Sequence, residues 1–109
     1  KNKTQEEFYI LMLNSKNNVI KEQLIYKGTL DAAIIEPREI FKEALKNSAA
    51  KIILIHNHPS GDSKPSDEDV EVTRKINNLG KDLNINLLDH IIIGNGNYFS
   101  LKEKLPEFN

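Results

Sequence analysis

Residues 52–55 read Ile-Ile-Leu-Ile, inside the segment Lys51–His56. The run is short and rich in β-branched side chains, which is the pattern of a central, buried strand. A buried strand needs neighbours, and the rest of the chain supplies them. Residues 6–13, Glu-Glu-Phe-Tyr-Ile-Leu-Met-Leu, form a second apolar strand. The turn formers Asn14-Ser15-Lys16-Asn17-Asn18 then lead into a third, Val19–Tyr26, paired with it as a hairpin. Gly28-Thr29 breaks that strand, and Leu30–Ile35 continues as a short extended segment. Pro37 opens a helix, where its missing N–H has no intrahelical partner to lose. Ile40, Phe41, Ala44 and Leu45 form the apolar stripe of this helix, and Asn47-Ser48 ends it. A loop over His56–Pro65 leads to Ser66, an N-cap with acidic residues in the turn after it. Val70, Thr73, Ile76, Asn77 and Leu79-Gly80 carry this second helix to a glycine stop. Ile85–Ile93 is another strand, Gly94-Asn95-Gly96-Asn97 a turn, and Tyr98–Leu101 its hairpin partner. The order β-β-α-β-α-β-β predicts an α/β (α+β) domain over 1–109, with a single mixed β-sheet flanked by helices.

Bulk properties narrow the function classes. A length of 109 residues suits one domain. Fifteen Lys and Arg against sixteen Asp and Glu leave a net charge of −1, so there is no broad nucleic-acid footprint. With no cysteine, disulfides, thiolate metal sites and cysteine nucleophiles are excluded. The longest apolar runs, Ile52–Ile55 and Ile91–Ile93, are far too short to span a bilayer as helices. No charged-then-apolar leader opens the chain, so the expectation is a cytoplasmic protein. The first residue is Lys1 rather than Met, as in a fragment or trimmed chain.

The chemistry lies in His56-Asn57-His58-Pro59-Ser60-Gly61, running on to Pro65-Ser66-Asp67-Glu68-Asp69. Residues two apart on an extended backbone share a face, so His56 and His58 aim at one point beyond the strand. Asp69, about one turn into the next helix, points back toward the strand end. Two imidazoles and a carboxylate suit Zn²⁺, and three protein ligands leave a fourth position for water. Each part also has a bland explanation. A lone His-x-His pair usually binds no metal, and the acidic residues after Ser66 could serve only as helix capping.

Taken together these residues resemble the JAMM (MPN) metallohydrolase signature: His-x-His, ten residues, then Asp, with a serine three before the aspartate. The string His-Asn-His-Pro-Ser-Gly resembles the bacterial RadC branch of that family. So do Gly28-Thr29-Leu30, Pro37-Arg38-Glu39, Leu88-Asp89-His90 and Ser100-Leu101. The resemblance spans essentially the whole chain. It implies the cytidine deaminase-like JAMM/MPN fold, with His56, His58 and Asp69 as zinc ligands. It implies Ser66 as a donor to the substrate oxyanion or to water. It also implies a general base on the first strand, where Glu6 and Glu7 both sit; family position points to Glu6. RadC-like proteins usually carry a helix-hairpin-helix segment ahead of this domain, which is not in this sequence. Their naming as DNA repair proteins says little about chemistry.

The expected function is zinc-dependent hydrolysis of an amide or isopeptide bond in a peptide or isopeptide substrate. The alternative is a non-catalytic, metal-binding scaffold in DNA maintenance, and a third possibility is a metal-free domain. His90, beside Asp89, is either a support for the metal site or a core histidine. Arg38-Glu39 at the first helix start reads as a capping charge, with an anion contact as the alternative, and Asp62, Asp67 and Glu68 read as solvated or capping charges. Asn57 faces away from the two histidines and is not a ligand.

Overall fold

A computed structural model describes residues 5–28 and 35–108 of the chain. The extended segment expected at Leu30–Ile35 therefore lies almost entirely outside the described residues. Strands β1 (Glu6–Leu13), β2 (Val19–Gly28), β3 (Lys51–Asn57), β4 (Asn86–Ile93) and β5 (Tyr98–Ser100) form one sheet in the order β2-β1-β3-β4-β5. β3 and β4 are parallel and every other pair is antiparallel, so the sheet is mixed. A parallel pair cannot be closed by a tight turn, and helix α2 (Asp67–Leu83) makes the crossover between them. Helix α1 (Pro37–Lys46) precedes β3. A short helix, α3 (Leu101–Lys104), and a 3₁₀ turn at Pro106–Phe108 close the chain.

The even-numbered residues Phe8, Ile10 and Met12 of β1 and Ile52 and Leu54 of β3 are buried in one cluster. Ile40, Phe41 and Ala44 of α1 and Val72 and Ile76 of α2 join it, so both helices cover the same face. A smaller cluster, Ile92, Leu101 and Phe108, seals the β4 end of that face. Tyr9, Leu11, Ile53, Ile55 and Ile91 on the opposite face are half-buried.

Four local expectations change. Leu45 is 58% exposed, because α1 meets the sheet through a narrow stripe one position short of it. The buried stripe of α2 is Asp69, Val72, Thr73, Ile76, Asn77 and Gly80, leaving Val70 at its margin and Leu79 exposed. Gly80 does not stop this helix. The helix runs to Leu83 and is capped by Asn84 in the left-handed conformation (φ 59°). Gly80 serves a different need: a Cβ there would lie 2.4 Å from the Ile85 carbonyl oxygen, where the chain turns back into β4. Finally, Leu101 leaves β5 to open α3, with Ser100 as its N-cap.

Candidate metal centre

The site forms at the carboxyl end of β3, where α2 also begins. This is the end of a parallel strand pair at which α/β sheets commonly bind ligands. His56 pairs with Phe8 at the last rung between β1 and β3, and Glu6 lies two residues back on the same face as Phe8. Asp69 is on the inward stripe of α2, which aims its carboxylate at the sheet. Glu6, His56 and Asp69 are all buried, His56 to 1% exposure.

His56 Nε2 lies 3.1 Å from Glu6 Oε2 and 3.2 Å from Asp69 Oδ1. His58 Nε2 lies 3.0 Å from Asp69 Oδ2. One donor atom each from Glu6, His56 and His58 falls within 4.8 Å of the others. The structure thus gathers all four residues that sequence reasoning placed around a metal, with Asp69 bridging the two imidazoles. Glu7 faces the other side of the sheet, where the Tyr9 hydroxyl lies 3.3 Å from its carboxylate.

The fit to a metal turns on which nitrogens carry protons. His58 Nδ1 lies 2.9 Å from the Asp62 carbonyl oxygen. A carbonyl can only accept, so Nδ1 carries the proton and Nε2 points inward. The buried Nε2 of His56 has close neighbours but no hydrogen-bond partner aligned with it. An inward imidazole nitrogen without a partner, set between two carboxylates, is a donor set that suits a divalent cation of zinc's kind.

Electrostatics follow from this crowding. Burial raises the Glu6 carboxyl above its ordinary value, against the pull of His56. Burial would also raise Asp69, but the imidazoles of His56 and His58 against it hold it far below the usual carboxylate range. The Asp69 contact raises His58. Burial, aided by the neighbouring His56, lowers His90 to about 3.

Ser66 caps α2 in a capping box: the Asp69 N–H donates to Ser66 Oγ (3.0 Å) and the Ser66 N–H donates to Asp69 Oδ2 (2.9 Å). One carboxylate oxygen of Asp69 is thereby fixed by the helix start. The loop after His58 rests on the β4–β5 turn. Its Asn95 N–H donates to the Gly61 carbonyl (2.8 Å), and the Ser63 N–H donates to Asn97 Oδ1 (3.2 Å). Gly94 permits that contact, since a Cβ there would meet Gly61 O at 2.4 Å.

Two residues carry more than sequence reasoning assigned. Asn57 does face away from the histidines, but it accepts from the Glu7 N–H (2.7 Å) and donates to the Gln5 carbonyl (3.0 Å). It brackets Glu6 by holding the backbone on either side. His90 does not pair with the Asp89 carboxylate through its ring. Asp89 instead accepts from Ser100 Oγ and the Lys102 N–H at the start of α3, while the His90 ring touches His56. In sequence His90 is marked by its place on an apolar strand and by the Leu88-Asp89-His90 string, neither of which names His56 as its partner.

A family model described as a RadC-like JAB domain matches residues 1–105. A UPF0758 protein of Staphylococcus haemolyticus is 56% identical over 104 residues, covering 95% of this chain and 46% of that protein. One from Shouchella clausii is 54% identical over 100 residues, 92% of this chain and 44% of that protein. The UPF0758 protein YsxA of Bacillus subtilis is 54% identical over 101 residues, 93% and 44% respectively. This chain therefore spans less than half the length of these relatives. Among its described residues no helix is long and apolar enough to cross a membrane. The match along almost the entire chain and the identities above 50% establish that it belongs to the RadC-like JAB domain family.

Proposed function

We propose that this domain is a zinc-dependent hydrolase of amide or isopeptide bonds. In this reading His56, His58 and Asp69 hold the metal, Glu6 moves the proton and Ser66 steadies the oxyanion. The observation that carries it is the buried, unpartnered Nε2 of His56 between the carboxylates of Glu6 and Asp69. Zn²⁺ bound there would polarise the scissile carbonyl and activate a water molecule. Glu6, raised by burial toward the working range of a base, accepts the proton and returns it to the leaving amine. Ser66 Oγ spends a lone pair on the Asp69 N–H, which leaves its O–H to donate to the developing oxyanion, worth about 3 kcal/mol. A cleft of about 630 Å³ on the sheet face opposite Glu6 and Asp69, with Glu7, Tyr9, Leu11 and Ile55 in its wall, reaches His56 and His58 at the strand end. It gives an extended substrate a surface to lie on.

The test measures zinc affinity by chelator competition and cleavage of a panel of peptide and lysine-linked isopeptide substrates. Asp69→Asn keeps a helix-start acceptor but loses the charge. It should weaken zinc roughly tenfold or more, since even residues behind the ligands cost 10–100-fold when changed. Glu6→Gln should keep zinc and lose cleavage, and Glu7→Gln should keep both. Unchanged affinity in Asp69→Asn would refute the ligand set. Loss of zinc in Glu6→Gln would make Glu6 a ligand rather than the base. A wild-type protein that binds zinc and cleaves nothing in the panel would favour a metal-binding scaffold.

A further inference from the structure

Behind His56 lies a buried line of hydrogen-bonding groups that touches no solvent. His56 Nδ1 is 2.9 Å from His90 Nε2, His90 Nδ1 is 2.6 Å from Thr73 Oγ1, and Thr73 Oγ1 is 2.6 Å from the Asp69 carbonyl oxygen. His90 and Thr73 are both 0% exposed. Each link has only one consistent assignment. The Asp69 carbonyl can only accept, and at 2.6 Å two facing lone pairs would repel, so the single Thr73 hydroxyl proton goes to it. Thr73 then offers His90 a lone pair, and His90 Nδ1 must carry a proton to bond it. A buried, neutral His90 with Nδ1 protonated has a lone pair on Nε2. That lone pair accepts from His56 Nδ1–H, so a neutral His56 has its Nε2 bare and directed at the metal position.

We propose that Thr73 and His90 are positioning residues that set the tautomer of His56, so that Nε2 faces the metal position as a ready-made ligand. The order of protons begins at the backbone of α2: the carbonyl of Asp69, itself a candidate ligand, dictates the protonation of His56 through two intervening side chains. One helix thus supplies a carboxylate from its side chain and a tautomer from its main chain. Phe8 stacks on His56 (5.2 Å between centroids, 17°) and meets His90 edge-on (5.6 Å), so one ring packs against both imidazoles, which are tilted 47° to each other. The inference rests on His56 being a metal ligand, but its proton order can be read without metal.

The experiment records long-range ¹H–¹⁵N correlation spectra of the metal-free protein at pH 8, which separate protonated from bare imidazole nitrogens. His56 and His90 should both be protonated at Nδ1. Thr73→Val keeps the side-chain shape and removes the acceptor. It should move the His90 and His56 protons toward Nε2 and weaken zinc about 10–100-fold. Thr73→Ser should restore both. A wild-type spectrum with His56 protonated at Nε2 overturns the proposal even if Thr73→Val fails to fold. So does a Thr73→Val protein with unchanged tautomers, or one whose tautomers shift while zinc affinity stays at the wild-type value. Should wild type bind no zinc, the metal reading falls, and the spectra alone decide the proton order.

Discussion

Glu6 is the residue where burial and chemistry pull in opposite directions. Its carboxyl is raised above 4.5 because the ionised form has lost water. In metal-free protein the folded state therefore disfavours ionised Glu6, a cost present at pH values well above 4.5 and absent once the group is protonated in both states. Glu6→Gln removes the charge and gives His56 Nε2 an amide donor. Without metal, this variant should melt above wild type at pH 7, and the gap should close as pH falls below 4.5. Differential scanning fluorimetry in chelator would check it; a gap that is absent, or constant with pH, would contradict the burial account. The same residue marks where sequence reading ran out. Glu6 shares a face with Phe8, Ile10 and Met12, and Glu7 with Tyr9, Leu11 and Leu13, so both faces are apolar and periodicity cannot choose between them. The deciding fact is tertiary: α1 and α2 both cover the even face.

At the scale of elements, α2 fixes both ends of the β3–β4 crossover. Its first turn holds Asp69 through the capping box, and its last turn carries Gly80 beneath the Ile85 carbonyl. In a free helix, Gly→Ala gains roughly 0.5–1 kcal/mol. Here the added Cβ at 2.4 Å from backbone oxygen must displace the turn, and such overpacking typically costs about 1–3 kcal/mol. Gly80→Ala should therefore lower stability in urea melts while zinc affinity stays near wild type, the site being at the other end of the helix; a stabilised variant would mean the turn moves freely. Strand and helix types were legible because the β-branched run at 52–55, Pro37 and Ser66 are local signals. The end of α2 was not, since a glycine needed for close approach looks in sequence like one needed for a left-handed turn. The positions of His56, His58 and Asp69 followed from alternation and helix phase, whereas His90 and Thr73 meet His56 only through the packing of β4 and α2 on β3.

Across the whole molecule, the candidate ligands and their support come from β1, β3, β4 and α2, so an unfolded chain cannot present the set. Zinc should bind the native state almost alone and stabilise it by mass action. At free zinc near 100 times its dissociation constant this is about 2.7 kcal/mol, or roughly 10–20 °C in midpoint for a domain of this size. Thermal melts with zinc and then excess chelator would check both directions, and a midpoint indifferent to zinc would rule against a native metal site. The bracket that Asn57 places around Glu6 has a consequence of another kind. With adjacent glutamates and two apolar faces, a β1 slid by one residue would still bury hydrophobes and still bring a carboxylate to His56. The Asn57 side chain discriminates between the two registers: its amide needs an N–H and a carbonyl turned toward it, and sliding by one residue turns both away. It acts as a proofreading key for the strand, rejecting an alignment that greasiness and charge alone would accept.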